Sequence, residues 1–261
     1  MKADRALWQR RALLAGGAIA VVGWVKGAPY LASLGAPDLA FQTLPDLAPF
    51  RRLANAGAMS TGAGGAIFAG LEAREPLTAE QLRLDLAVKS DPCAAFYGSM
   101  RDGPVPVAMF SDFACPICRI MESRIAKLEA SDPGSFRVVR HQLPILGAAS
   151  TMASRAVLAA DRQGAYREMH ERLIRTPVVT NISFVTFIAA DIGLDPDQFR
   201  ADLNSEEIDQ RLRLTEAIAR VFGFYGTPAF AVGQTVFLGA IPKSTLQALI
   251  DFEVGNACQT S

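Results

Sequence analysis

The stretch Cys115-Pro116-Ile117-Cys118 is the part of this sequence from which the fold is most directly predicted. It follows an apolar run, Val105 to Phe110, and opens a segment whose apolar residues recur at helical spacing. Two cysteines at this spacing can switch between dithiol and disulfide. The free N–H groups of a helix N-terminus favour the thiolate of the first cysteine, and the first helical turn tolerates proline. We therefore predict an exposed, acidic Cys115 and a shielded Cys118, as thiol–disulfide exchange requires.

An isolated Cys-x-x-Cys motif is also half of a zinc site, which needs a second pair of ligands. The remaining cysteines and the histidines form no ligand-spaced pair: Cys93, Cys258, His141 and His170. A purely structural disulfide within the motif is the other alternative. The pattern favours redox chemistry, and it implies neither a metal nor an organic cofactor.

The composition limits the partners that the chain can have. Half of the 261 residues are apolar, which is enough for a sizeable core. Acidic and basic residues balance at 26 each, so no basic stripe predicts nucleic acid as a partner. A neutral surface suits the binding of many different unfolded or partly folded proteins.

The N-terminal 36 residues predict where the protein works. An uncharged run from Ala12 to Val25 follows four basic residues, Lys2, Arg5, Arg10 and Arg11. This pattern is typical of an export signal, and the run is short for a membrane span of about 20 residues. We predict that residues 1–36 are an export signal or an N-terminal membrane anchor. The protein would then be periplasmic, either soluble after cleavage or anchored to the inner membrane, with membrane contact only through this segment.

Cys93 and Cys258 flank the motif on both sides. Disulfides persist outside the reducing cytosol, so an internal Cys93–Cys258 disulfide is one interpretation. The loop it would close is long, and the chain-entropy model gives about 5 kcal/mol as a ceiling for its stabilisation. Two independent buried thiols, or an inter-chain bridge through Cys258, are the alternatives.

The patterning divides the rest of the chain. Residues 37–103 form a lead-in of unknown role, with turns and short extended pieces at Asn55 to Gly70 and a short capped helix at Leu77 to Gln81. It could pack on the main domain, space it from the membrane, or form a dimer interface. Residues 256–261 are a C-terminal tail.

Residues 104–255 read as a small α/β domain with a helical insertion in its middle. A strand, the cysteine-containing helix and a second strand imply a parallel pair with a crossover. Helical spacing then continues over about 148–222, before two short strands and an amphipathic helix. The predicted strands are Val105–Phe110, Phe136–Leu143, Ala229–Val232 and Thr235–Leu238.

With these segments the chain resembles the DsbA-like branch of the thioredoxin superfamily over about residues 104–253. The resemblance rests on five segments: Phe110-Ser111-Asp112-Phe113-Ala114-Cys115-Pro116-Ile117-Cys118-Arg119, Leu143-Pro144-Ile145-Leu146-Gly147, Gln163-Gly164-Ala165-Tyr166 with His170, Ile192-Gly193-Leu194-Asp195, and Phe224-Tyr225-Gly226-Thr227-Pro228-Ala229-Phe230. It implies a thioredoxin fold with a helical domain inserted between the βαβ half and the cis-Pro ββα half. It also implies disulfide oxidoreductase activity, with Cys115 and Cys118 as the catalytic residues.

The resemblance further implies that Pro228 is cis and faces the cysteine pair across a groove, as a proline peptide bond permits. The Thr227 backbone would pair with an extended substrate peptide in β-augmentation. Pro116 and Ile117 would line the same groove.

Two residues depart from the family pattern. Met109 stands where many thioredoxin-like enzymes carry a buried acid that helps to move the proton of the buried thiol. Asp112 could replace it as a proton-transfer helper, or could be a solvent-facing residue at the helix entry. Ile117 stands where strong oxidants have a histidine, and a less stabilised thiolate gives a less oxidising disulfide.

The function that we predict is disulfide formation in exported proteins through a mixed disulfide at Cys115. A disulfide reductase or isomerase of DsbC/DsbG type is one alternative. A non-catalytic thioredoxin-fold chaperone or copper-handling module is the other. The predicted partners are exported thiol- or disulfide-containing proteins and a redox protein that resets the cysteine pair.

Overall fold

A mixed six-stranded sheet runs through the part of the chain that the computed structural model describes, which comprises residues 39–54, 57–61, 76–101, 103–176, 179, 181–256 and 258. The strand order is β1-β2-β6-β5-β3-β4. The β3–β4 and β2–β6 pairs are parallel, and the other neighbours are antiparallel. The strands are β1 Phe41–Thr43, β2 Arg51–Leu53, β3 Val105–Ser111, β4 Phe136–Gln142, β5 Ala229–Val232 and β6 Thr235–Leu238.

Helices cover the sheet and fill the connection between β4 and β5. The α-helices of the described residues are α1 Ala79–Ser90, α2 Pro92–Tyr97, α3 Pro116–Ser131, α4 Ala148–Asp161, α5 Tyr166–Ile174, α6 Ile182–Asp191, α7 Pro196–Asp202, α8 Glu206–Phe222 and α9 Lys243–Glu253. Short 3₁₀ turns lie at Pro45–Leu47 and Gly98–Arg101. The β3-α3-β4 unit is the βαβ half of a thioredoxin fold, and β5-β6-α9 is the ββα half. Because α4 to α8 lie between the two halves, the predicted α/β fold with a helical insertion is confirmed.

The interior strand β3, which lies between β5 and β4, positions the cysteine motif. All seven residues of β3 are buried, as expected of a strand with a helix-covered sheet on both sides. It pairs with β4 in parallel and with β5 in antiparallel, so Phe110 lies opposite both His141 and Ala229. The carboxyl end of β3 therefore delivers Asp112 and the following turn beside the start of β5.

The helix α3 begins at Pro116 because Cys115 has an extended backbone and caps it. Its apolar residues face the sheet: Met121, Ile125 and Leu128 are buried in a cluster with Met109 and Phe230. Burying each of these side chains contributes about 1.5–3 kcal/mol. The buried face of α3 thus holds its N-terminus at a fixed position over the sheet edge.

The helical insertion has a core of its own. Small and medium apolar side chains of α4, such as Ala156 and Val157, are buried against Met169 of α5, Val185 of α6 and Phe199 of α7. Phe113, from the turn before the cysteine motif, is buried in the same cluster. The insertion therefore packs directly on the turn that leads to Cys115.

The described part of residues 37–103 belongs to the same compact unit as the thioredoxin domain. Strands β1 and β2 extend the sheet beyond β6, and α1 lies against α8, where Asp85 accepts a 2.7 Å hydrogen bond from Arg220. The α1 helix starts with a capping box between Thr78 and Gln81 and runs for twelve residues, so the predicted short helix is longer than expected.

The predicted export segment, residues 1–36, lies outside the described residues. Within the described ranges, no helix combines the length and the apolar character needed to cross a bilayer.

Candidate active site

Cys115 and Cys118 meet at the N-terminus of α3 as free thiols. Cys115 is the N-cap residue, and its Sγ accepts a 3.1 Å hydrogen bond from the backbone N–H of Cys118. The Cys115 N–H in turn donates to the carbonyl of Asp112 at 3.0 Å. An N–H group aimed at the sulfur from the first helical turn stabilises negative charge there.

The surroundings lower the pKa of Cys115 from an ordinary 9.0 to about 6. The largest cause is the hydrogen bond from the Cys118 thiol, which burial opposes. The side chains of Ser60 and Thr227 and the Cys118 backbone N–H lower this pKa further. Cys115 therefore carries a substantial thiolate fraction at neutral pH.

The partner thiol shifts in the opposite direction. Burial raises the pKa of Cys118, and its hydrogen bond and charge interaction with Cys115 raise it further. Cys118 is fully buried, in agreement with the prediction, and stays protonated when Cys115 is ionised. The pair thus consists of one nucleophilic sulfur and one protonated donor.

The peptide bond between Thr227 and Pro228 is cis, and both residues are buried. The Thr227 carbonyl oxygen lies 3.4 Å from the Cys115 Sγ. The Pro228 carbonyl accepts from the Gly239 N–H at 2.7 Å, which fixes this turn to the end of β6. The cysteine pair therefore faces the cis-proline turn, and the sulfur is in contact with its backbone.

A short segment of the lead-in, residues 57–61, lies on the site. Ser60 forms an isolated antiparallel bridge with Thr227, and the Ser60 Oγ is 3.4 Å from the Cys115 Sγ. Cys115 is fully buried as a result, so the prediction that it is exposed is wrong. The physical reason is that residues far away in the sequence cover the sulfur, whereas Pro116 beside it is exposed and Ile117 is half-buried.

Asp112 is fully buried, which excludes the solvent-facing alternative. Its carboxylate accepts three hydrogen bonds, from the Ala114 N–H at 2.8 Å, the Leu146 N–H at 2.9 Å and the Ser150 hydroxyl at 2.6 Å. These bonds tie the turn before Cys115 to the loop after β4 and to the start of α4. The Asp112 backbone also contacts the Cys118 thiol and lowers its pKa.

A buried ionic cluster connects α3 to β4 and to α5. Glu122 of α3 pairs with Arg140 of β4 at 2.9 Å and with His170 of α5 at 3.3 Å. Burial raises the pKa of Glu122, but the bonds from His170 and Arg140 outweigh it and bring the value to about 2. His170 thus links α3 to the insertion. His141 lies elsewhere, stacked on Phe110 with its Nε2 2.8 Å from the Phe96 carbonyl oxygen.

The other two cysteines form a disulfide between α2 and the C-terminal end of the chain. Cys93 and Cys258 are both buried in a core cluster that includes Phe50, Phe96 and Phe222. Of the interpretations that the sequence left open, the structure therefore has the internal disulfide.

Sequence reasoning missed two residues of the site. Ser60 lies in a stretch for which the sequence predicts turns and which carries no motif, and its role depends on pairing with Thr227, 167 positions later in the chain. Ser150 is an ordinary polar residue at the start of α4. No local signal identifies either residue.

A thioredoxin fold with a helical insertion, a Cys-x-x-Cys pair at a helix N-terminus and a cis-proline turn facing it define the class of thiol–disulfide oxidoreductases. The model of the DSBA-like thioredoxin domain family matches residues 106–251, which is more than half of the chain. The chain belongs to this family.

The chain is similar to a solved thioredoxin-like oxidoreductase from Silicibacter pomeroyi DSS-3, with a TM-score of 0.57 and 32% identity, over 62% of this chain and 97% of that protein. It is 26% identical over 143 residues to a probable disulfide bond formation protein D from Bacillus anthracis, covering 50% of this chain and 66% of that protein. It is also 31% identical over 180 residues to a Na(+)/H(+) antiporter NhaA 3 from Salinispora tropica, covering 68% of this chain. The chain spans only 28% of the length of that antiporter.

Proposed function

We propose that the chain is an exported thiol–disulfide oxidoreductase that forms disulfides in other exported proteins through a mixed disulfide at Cys115. The observation that carries this proposal is the geometry of the pair: at the N-terminus of α3 the Cys115 Sγ accepts from the Cys118 N–H at 3.1 Å, and it lies 3.4 Å from the Thr227 carbonyl oxygen of the cis-proline turn. These surroundings lower the pKa of Cys115, whereas the pKa of Cys118 is raised. A stabilised Cys115 thiolate stabilises the reduced pair, which makes the Cys115–Cys118 disulfide more oxidising. A thiol of low pKa is also the better leaving group.

The proposed reaction has two displacements. A client thiolate attacks the Cys115 sulfur of the Cys115–Cys118 disulfide, the S–S bond breaks, and Cys118 leaves with the electron pair and takes up a proton. A second client thiolate then attacks the client sulfur of the mixed disulfide, and Cys115 leaves as the thiolate. The client loses two electrons and gains a disulfide, while the enzyme pair is reduced.

The surrounding residues have separate roles in this proposal. The Thr227 backbone pairs with the client peptide, and the cis Pro228 keeps that backbone beside the Cys115 sulfur. Pro116 and Ile117 form the opposite, partly exposed side of the groove. Asp112 positions the turn before Cys115 through its three hydrogen bonds, and it is the candidate for helping the Cys118 proton to move.

The location and the partners belong to the same proposal. Residues 1–36 would export the chain to the periplasm or anchor it to the inner membrane. A separate redox protein would reoxidise the cysteine pair after each cycle, because disulfide formation in a client leaves the enzyme reduced. The lead-in segment, residues 37–103, would be a structural part of the domain on which its described residues pack.

The test is the equilibrium reduction potential of the Cys115–Cys118 pair against glutathione. A value near −120 to −150 mV, about that of strong oxidants, supports disulfide formation. A value near about −250 mV, close to that of thioredoxin, would reverse the direction and make the chain a reductase or isomerase. Absence of exchange with glutathione would contradict both directions. The Cys118→Ser variant is the matched control, since it can form the mixed disulfide at Cys115 but cannot close the pair.

A further inference from the structure

The residue before the cis-proline, Thr227, is already paired with another segment of the same chain. The Ser60 N–H donates to the Thr227 carbonyl at 2.7 Å, and the Thr227 N–H donates to the Ser60 carbonyl at 2.8 Å. The two residues therefore exchange both backbone hydrogen bonds, as directly opposed residues of an antiparallel pair do. An extended client peptide that adds to this edge would need the same two groups of Thr227.

The Ser60 side chain lies where the reacting group of a client would lie. Its Oγ is 3.4 Å from the Cys115 Sγ, and Cys115 has no exposed surface in this arrangement. Serine has the shape of cysteine but cannot form a disulfide. The segment therefore occupies the position of a client without reacting.

The rest of the segment is fitted closely to the groove. The Ala240 N–H donates to the Ala58 carbonyl at 2.9 Å, so the pairing continues beyond Ser60. A Cβ on Gly57 would lie 1.7 Å from the Ala240 carbonyl oxygen, and one on Gly226 would lie 2.9 Å from the Met59 Sδ. Glycine at both positions permits this close approach of the two backbones.

We propose that residues 57–61 are an internal pseudosubstrate, a segment that occupies the client groove with Ser60 at the position of the client cysteine, and that clients reach Cys115 only when it is released. This inference rests on the proposed function for the identity of the client groove. A segment tethered within the same chain competes at an effective concentration in the millimolar range. Free thiols and weakly binding peptides therefore react slowly, and a client with a well-fitting extended segment displaces the segment.

The pairing also defines the register of a client. The client cysteine lies opposite Thr227, and the residue before it lies against Gly226, where Met59 lies in the chain. The preferred client is thus an unfolded protein segment with an unbranched apolar residue immediately before its cysteine.

The first test releases the segment without changing a residue that contacts the sulfur. In Gly57→Ala the added methyl group overlaps the Ala240 carbonyl, and Ala58→Ser is the matched control because it adds one atom at an exposed position. The reduced full-length chains are alkylated with iodoacetamide, and modification of Cys115 is followed by peptide mass mapping. Gly57→Ala should react about tenfold faster, which corresponds to about 1.4 kcal/mol, and Ala58→Ser at the unchanged rate. Equal rates in all three chains would overturn the proposal.

The second test checks the register and needs no substitution that expels the segment. The Ser60→Cys, Cys118→Ser chain is treated with oxidised glutathione, and Ala58→Cys, Cys118→Ser is its control. The Cys115 thiolate takes one glutathione and releases the other as a thiolate. The thiol introduced by Ser60→Cys, as its thiolate, would then attack the Cys115 sulfur, displace the bound glutathione and leave a disulfide between positions 60 and 115. A chain that keeps glutathione on Cys115, or a control that forms the bond equally well, would contradict the placement of Ser60.

These tests separate the inference from the proposed function. Faster alkylation of Gly57→Ala, in a protein whose Cys115–Cys118 pair never oxidises a dithiol peptide, would uphold the pseudosubstrate and overturn the proposed disulfide-forming function. If the wild-type and Gly57→Ala chains oxidised the peptide at equal rates and were alkylated at equal rates, the proposed function would be upheld and the pseudosubstrate overturned.

Discussion

The molecule contains two pairs of cysteines in opposite states. Cys93 and Cys258, 165 positions apart in sequence, are joined in a disulfide within an aromatic core cluster. Cys115 and Cys118 are free thiols at a helix N-terminus, against the cis-proline turn. The comparison teaches that the chemistry of a cysteine here is decided by the groups around the sulfur. Apolar side chains surround the first pair, whereas N–H and hydroxyl groups that stabilise a thiolate surround Cys115.

The two environments give the pairs different expected behaviour. A buried bridge closing a long loop stabilises the fold and has no exposed sulfur for a thiolate to attack. A pair with one thiol of lowered pKa and one of raised pKa exchanges readily once a client reaches it. We therefore expect changes at Cys115 to affect reactivity and changes at Cys93 or Cys258 to affect stability.

The largest effect should follow from removing the Cys115 sulfur. In Cys115→Ser the attacking or attacked atom of every exchange step is absent, so oxidation of a dithiol peptide should fall to the uncatalysed rate. The fold should remain, because the serine hydroxyl can still accept from the Cys118 N–H at the helix N-cap. Peptide oxidation followed by mass spectrometry, with circular dichroism as the check on folding, measures both. Activity retained in this variant would mean that a different thiol reacts.

The complementary change removes the other pair. Cys93→Ala, Cys258→Ala should lower the free energy of unfolding by up to about 5 kcal/mol, the chain-entropy ceiling for a loop of this length. Urea unfolding, with the wild-type chain as reference, gives the difference. The reduction potential of the Cys115–Cys118 pair should stay the same. A potential that moved together with stability would show that the two pairs are not independent.

The two regions also differ in how far the sequence predicts them. The position of Cys115 and Cys118 at a helix N-terminus follows from a local pattern, an apolar run followed by helical spacing. The Cys93–Cys258 pairing was open on sequence grounds, because a separation of 165 residues carries no information about spatial proximity. The α/β fold with its helical insertion was predictable because successive strands and helices have distinct periodicities.

Tertiary contacts explain what the sequence did not predict about the site. The exposure of Cys115 depends on Ser60, which reaches it through pairing with Thr227 and not through any neighbouring residue. The burial of Asp112 depends on the Ser150 hydroxyl and the Leu146 N–H. Contacts between segments that are distant in the chain leave no periodic or motif signal in a single sequence.

The lowered pKa of Cys115 predicts that the stability of the reduced chain depends on pH. Its pKa falls from 9.0 in the unfolded chain to about 6 in the folded one, so the thiolate stabilises the reduced fold fully above pH 9. This contribution is lost as the pH falls through 6, and three units correspond to about 4 kcal/mol as a ceiling. The stability of the reduced chain minus that of the Cys115–Cys118 oxidised chain should therefore rise between pH 6 and pH 9.

The oxidised chain is the control for that series, because its other titrating groups are the same and Cys115 cannot ionise. Cys118 stays protonated in the folded chain and begins to ionise in the unfolded chain near pH 9, so the comparison is made below that pH. A stability difference that does not change between pH 6 and pH 9 would contradict the lowered pKa of Cys115.

The smallest effect concerns the residue between the cysteines. Ile117 is half-buried beside the sulfur and supplies neither charge nor a hydrogen bond, so Ile117→His should add a partial positive charge next to the Cys115 thiolate. Two charges about 4 Å apart near water interact by about 1 kcal/mol, which lowers the pKa of Cys115 by up to about one unit. Stabilising the reduced pair by about 1 kcal/mol raises its potential by about 20 mV, measured against glutathione at pH 6. Ile117→Leu, which keeps an apolar side chain of the same size, should leave the potential unchanged; an equal rise in both variants would mean that packing, and not charge, sets the potential of this pair.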